Sequence, residues 1–174
     1  MGTGASDRLS WAVGTLGLRP TDRVLEVGCG PGVAVSLVCE LLTDGHVTAI
    51  DRSEAMTAAA ARRNARHIAE GRADVRTTPL AEAGFDHERF DVVFAVRVGV
   101  FSRGEPTREL TVVRDHLAPG GRLVLVEQPP TAERLDEAVD TLTRHLVAHG
   151  FVVHDVVRAE PPLVPGASVI STPV

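Results

Sequence analysis

Between Arg23 and Leu42 the chain passes from a short apolar strand, Arg23 to Val27, through the turn GCGPG into a helix that begins at about Val33. Gly28, Gly30 and Gly32 occupy alternate positions of that turn. Glycine there allows positive φ and lets another molecule approach the backbone without meeting a Cβ. The helix beyond it offers unpaired N–H groups and a partial positive charge. A strand, a glycine turn and a helix in that order open a parallel α/β unit, which few architectures can accommodate.

The rest of the chain continues the alternation. Asp44-Gly45 leads into a second strand, His46 to Asp51, and Ser53 caps an alanine-rich helix running to about Ala69. Asp74 to Thr78 reads as a third strand and Phe90 to Val96 as a buried fourth. A helix follows from about Pro106 to Leu117, with Leu110, Val113 and Leu117 on one face. Pro119-Gly120-Gly121 breaks it before a fifth strand, Arg122 to Glu127. Leu135, Val139, Leu142 and Leu146 mark an amphipathic helix from Thr131 to His149, closed by Gly150. Phe151 to Val157 and Ala167 to Thr172 are the last two strands, joined by a proline-rich turn, PPLVPG, with no helix between them. They read as an antiparallel hairpin at one sheet edge. Upstream, Ser6 caps a first helix with Leu9, Val13 and Leu16 on one face, stopped by Gly17 to Thr21. The expected fold is α/β: a doubly wound, mostly parallel seven-stranded sheet with a C-terminal antiparallel hairpin and helices on both faces. The ligand of such a sheet lies beyond the carboxyl ends of its strands, near the switch point.

At 174 residues the chain is expected to form one domain, given roughly 150 residues per domain. With 23 acidic and 18 basic residues its net charge is −5, which argues against a broad nucleic-acid or anionic-membrane surface. All 18 basic residues are arginine, and tyrosine is absent too, so Schiff-base and P-loop lysines and a catalytic tyrosine are excluded. No apolar run has the length of a membrane span, and the start, MGTGASDRLSW, does not read as a signal peptide. Cys29 and Cys39 suit a reduced cytoplasm better than a disulfide framework. The expectation is a cytoplasmic protein with neither nucleic acid nor membrane as partner.

Nineteen residues after Gly32 the second strand ends in Asp51, where a carboxylate can accept both hydroxyls of a ribose. With the glycine turn, this points to an adenosine-type cofactor. A dinucleotide fingerprint has G-x-G-x-x-G; here the pattern is G-x-G-x-G, preceded by Glu26. In these residues the chain resembles the class I S-adenosylmethionine-dependent methyltransferases. VLEVGCGPG is similar to their first motif, VTAIDRSEAM to their second strand and following turn, FDVVFAV to their fourth strand, and LAPGGRLVLVE to the turn and fifth strand. The resemblance extends from about Gly17 to the C-terminus.

It implies S-adenosyl-L-methionine as cofactor and S-adenosyl-L-homocysteine as product. By position, Gly28, Gly30 and Gly32, with Cys29 between them, approach the methionine part, and Glu26 supports that loop or reaches the amino group. Asp51 holds the ribose, while Arg52 and Met56 lie near the adenine. Ala95, Val96 and Arg97 line the methionine side and face the acceptor. The family commonly has an acid after the third strand for the adenine amino group. Here Thr77, Thr78, Pro79 and Leu80 fill that place, leaving Thr78, Pro79 or a backbone group to do so, with Glu82 further off.

Cys29 reads as a small packed thiol. Arg97, Phe101 and Glu127 are the acceptor-side candidates, and Arg97 either holds an anion or pairs with a nearby acid. No catalytic base stands out. His145, His149 and His154 have a spacing that a metal could use, but two histidines also suit a helix C-terminus, and no metal is expected. The N-P-P-aromatic motif of base and glutamine methylation is absent from AVRVGVFSRGEP, which favours a small-molecule acceptor. A noncatalytic S-adenosylmethionine-binding module and, behind it, a nicotinamide-dependent reductase are the alternatives. Little chain covers the acceptor side, so closure is expected from residues 1–20, where the Ser6 to Leu16 helix packs over Arg97 and Phe101, or from a second copy in a homodimer, or else the acceptor is a large surface partner; Trp11 reads as a core anchor before it reads as part of a lid.

Overall fold

The computed structural model describes residues 5–160 and 163–174. One seven-stranded sheet has the order β3-β2-β1-β4-β5-β7-β6. Its strands are β1 (Arg23–Val27), β2 (His46–Asp51), β3 (Ala73–Thr77), β4 (Phe90–Val96), β5 (Leu117–Glu127), β6 (Phe151–Arg158) and β7 (Ala167–Pro173). The first five pair in parallel, and β7 lies antiparallel between β5 and β6, with Ala167 opposite Glu127. The chain winds outward from β1 through β2 to β3, then crosses back to β4. The switch point therefore falls between β1 and β4, with Val27 beside Ala95.

Apolar residues fill both faces, because side chains alternate along each strand. Val24, Val47, Ala49, Val92, Phe94, Val124 and Val126 belong to one core layer. It is covered by α1 (Ala5–Gly14), α2 (Val33–Leu41) and α3 (Glu54–Arg63), which contribute Ala12 and Val13, Val35 and Val38, and Ala60. Leu25, Val27, Val93, Ala95, Leu123 and Leu125 face the opposite layer. There α6 (Thr107–His116) supplies Leu110 and Val113, and α7 (Ala132–Ala148) supplies Leu135, Val139, Leu142 and Leu146. The short helices α4 (Ala65–Ala69) and α5 (Gly99–Arg103) complete the set. Among the described residues no helix is long and apolar enough to cross a membrane.

Four local expectations are revised. The alanine-rich helix breaks at Asn64, whose buried side chain donates to the carbonyls of Gly32 and Ala60 and accepts from Ser36 Oγ. Helix α6 stops at His116 because Leu117 already pairs with Phe90, so β5 starts before the Pro119-Gly120-Gly121 turn rather than after it. Helix α5 was not foreseen; Arg97, at φ 56°, reverses the chain into it. Ser6 lies inside α1 and not at its cap. Met1–Gly4 and, in the turn after β6, Pro161 and Pro162 lie outside the described residues.

The expected lid helix is a core element here. Ala12, Val13 and Leu16 are buried, and Trp11 packs against the same layer. Gln128 Nε2 donates to the Arg8 carbonyl at 3.0 Å, and Arg122 Nε to the Leu16 carbonyl at 2.9 Å, which ties down the helix and the turn that follows it. Among the described residues none of α1 lines the cleft described below.

Candidate active site

The glycine turn sits at the switch point, as the parallel winding requires. Gly28, Gly30 and Gly32 have φ of 71°, 52° and 77°, in the left-handed region that a side chain disfavours. Each has a different steric surrounding. A Cβ on Gly28 would come within 2.6 Å of Val98 Cγ2, and one on Gly32 within 2.8 Å of the Ala60 Cα. One on Gly30 would meet no atom within 4 Å. Gly28 and Gly32 are thus required by packing, whereas Gly30 borders open space.

Backbone and carboxylate bonds fix the turn. Gly28 and Cys29 N–H donate to the Ile50 carbonyl at 2.8 and 3.0 Å. The Gly30 N–H donates to Asp51 Oδ2 and the Ser53 N–H to Asp51 Oδ1, both at 2.9 Å. Asp51 thereby joins the end of β2 to the glycine turn and to the start of α3, which Ser53 caps by accepting from the Met56 N–H. The Thr78 N–H donates to the Asp51 carbonyl, bringing the end of β3 to the same point.

Beneath the turn Glu26 is 3% exposed, and its Oε2 has no hydrogen-bond partner. Burial, reinforced by the Asp51 charge, pushes its carboxyl up to about 8. Cys29 is buried beside it and donates weakly to the Gly30 carbonyl; burial first, then Glu26 and Asp51, push the thiol up to about 12. A thiol so held is neutral and is no nucleophile.

From this point a cleft of about 790 Å³ opens along the carboxyl ends of the strands. It gathers the expected Gly28, Asp51, Arg52, Thr78, Pro79, Val96 and Arg97. Val98, Arg103 and Glu109, on α5, α6 and the segment leading to them, also line it and were not singled out from sequence. Asn64 was missed as well: it staples α3 to the turn, and only its place as an amide in an alanine-rich run hints at that. Ala95 is 2% exposed in the core and Met56 is 40% exposed on α3; neither lines the cleft, nor do the expected Glu26, Cys29, Gly30 and Gly32 of the turn region. Phe101 is corrected from an acceptor-facing residue to a core one: within α5 it is 2% exposed, with its carbonyl 2.9 Å from His145 Nδ1. Glu127 is half-buried, interacts with Ser102 and is not among the residues that line the cleft. Burial raises its carboxyl, against the Ser102 interaction and the charges of Arg103 and Arg97.

His149 Nε2 and His154 Nε2 lie against the hydroxyls of Thr107 and Thr172. Among the described residues no group of three His, Cys, Asp or Glu is arranged to hold a metal ion.

Residues 24–121 match the family described as Methyltransferase domain, and the chain belongs to that family. Among its relatives is the Bacillus subtilis protein named uncharacterized methyltransferase YdaC, 28% identical over 139 residues that cover 79% of this chain and 74% of YdaC. A 37.1 kDa protein of transposon TN4556 from Streptomyces fradiae is 30% identical over 172 residues, 88% of this chain; the match spans 48% of that longer protein. The crystal structure of the glycopeptide N-methyltransferase MtfA complexed with sinefungin shares the fold, with a TM-score of 0.82, 17% identity and coverage of 99% of this chain and 95% of that one.

Proposed function

We propose that the chain binds S-adenosylmethionine in this cleft and directs transfer of its methyl group to a small-molecule acceptor. The observation that carries this reading is the pairing of the open space over Gly30 with the unpartnered Oε2 of buried Glu26 below the same turn. A buried carboxyl oxygen without a partner is costly, and the cofactor's amino group, directly or through water, is a partner of the right chemistry. The residues present fit the group.

When bound, the cofactor supplies an electrophilic sulfonium methyl. The chain's own residues bind and orient. Each Asp51 oxygen holds one backbone N–H, and a carboxylate has about four lone-pair sites, so both retain capacity for ribose hydroxyls. Arg52, Thr78 and Pro79 border the adenine side; Val96 and Arg97 border the methionine and acceptor side. Because the turn is already fixed by Ile50 and Asp51, little reorganisation accompanies binding. The cleft volume lies in the range of small-molecule sites, about 300–1,000 Å³, which with the net charge of −5 supports a small acceptor over nucleic acid. The buried free cysteines Cys29 and Cys39 support a reducing, cytoplasmic setting.

The test is methyl-labelled S-adenosylmethionine incubated with the protein and small-molecule extracts. Label should appear in a low-mass product, and S-adenosylhomocysteine should suppress it where NADPH does not. Cofactor binding with no transfer to any extract would instead identify a noncatalytic module.

A further inference from the structure

Arg52, Arg97 and Arg103 line the cleft, opposed by two lining acids, Asp51 and Glu109. The Asp51 carboxylate is already engaged by two backbone N–H groups. Of the arginines outside the cleft, Arg76 pairs with Asp74 and Glu88, Arg72 with Glu70 and Arg158 with Asp136, whereas exposed Arg62, Arg108 and Arg134 have no ion pair among the described residues. Among the described residues, the side chains of Arg97 and Arg103 make neither an ion pair nor a hydrogen bond. Glu127 feels both charges and also interacts with Ser102.

The backbone places both arginines. Arg97 adopts φ 56°, a region unfavourable to any residue with a Cβ. Arg103 folds its guanidinium over Gly99, where a Cβ would collide with Nη2. The segment from Arg97 to Gly104, which includes α5, thus brings two guanidiniums to the wall of the cleft in a chain whose net charge is −5. Guanidinium groups match carboxylate oxygens in a planar, charge-assisted fork.

We propose that Arg97 and Arg103 clamp a carboxylate on the methyl acceptor, so that the substrate is a small carboxylic acid. This rests on the reading of the cleft as a methyl-transfer site. The cofactor carries a carboxylate of its own, so the test must separate the two.

The experiment uses the full chain saturated with S-adenosylhomocysteine and a fragment set of carboxylic acids, each matched with its carboxamide, read by ligand-observed NMR. Acids should bind about tenfold more tightly than their amides. The preference should weaken in R103Q, collapse in the double variant R97Q/R103Q and return in part in R97K/R103K, with S-adenosylhomocysteine affinity held within about threefold of the parent in R103Q. Thermal melts establish that each variant is folded. The proposal is overturned if no acid is retained, if acids and amides bind alike, or if R97Q/R103Q keeps the preference. It is also overturned if R103Q loses S-adenosylhomocysteine affinity, since Arg103 would then serve the cofactor. Failure of the parent to bind S-adenosylhomocysteine at all would strike at the underlying reading instead.

Discussion

Glu26 and Asp51 divide the work of the turn between them. Asp51 is a hub with both oxygens on backbone donors, while Glu26 is buried with Oε2 unpartnered. The Glu26 carboxyl lies at about 8 in the fold, against an ordinary 4.5. Between those values the folded state holds a proton that the unfolded chain has released, so stability falls as pH rises through that window. Chemical denaturation should show the parent losing a few kcal/mol between about pH 4.5 and 8 relative to Glu26→Gln. A constant difference between the two proteins across that range would contradict the buried, proton-holding Glu26. At the neighbouring residue, Asp51→Ala should weaken S-adenosylhomocysteine binding by about 1–3 kcal/mol, measured by titration calorimetry. It removes the ribose acceptor and leaves the N–H groups of Gly30 and Ser53 without their partner.

Helix α3 matters to the site through contacts that no motif announces. Its N-cap, Ser53, was legible because a serine before a helix-forming run has a known backbone role. The break at Asn64 was not, because it depends on Gly32 and Ser36, about 30 residues away in sequence. Asn64→Ala should cost about 2–3 kcal/mol by urea denaturation, since it strips partners from the Gly32 carbonyl and the Ser36 hydroxyl; Asn64→Asp, which keeps only the acceptor, should recover little. An unchanged midpoint would mean that the staple contributes nothing. Helix α5 was illegible for a related reason. Its position follows from the left-handed turn at Arg97, and arginine carries no signal for that conformation as glycine does. Phe101 was misassigned for the same reason: without α5 it reads as lining a loop, whereas within α5 it turns into the core.

For the molecule as a whole, all seven strands, their order of appearance and the closing hairpin follow from apolar period and turn residues, because alternation of strand and helix permits few windings. What the pattern could not assign was the job of α1. Its apolar face at Leu9, Val13 and Leu16 is equally suited to a lid and to a core helix; the ties to Arg122 and Gln128 fix it as core. Leu16→Ala should therefore destabilise the fold by about 2–5 kcal/mol in denaturant melts, an effect that a freely moving cover would not produce.

The central claim is that the glycine turn and the cleft that opens beside Gly28 hold S-adenosylmethionine and its product. Titration calorimetry of S-adenosylhomocysteine into the full chain, beside Gly30→Val, tests it most directly. A Cβ at position 30 meets no protein atom, so the valine intrudes mainly on ligand space, with the added strain of positive φ. The account predicts saturable binding at one site in the parent, and its loss in a Gly30→Val protein whose circular dichroism is unchanged. No heat and no thermal shift with the parent at millimolar S-adenosylhomocysteine, or equal affinity in the two proteins, would contradict it.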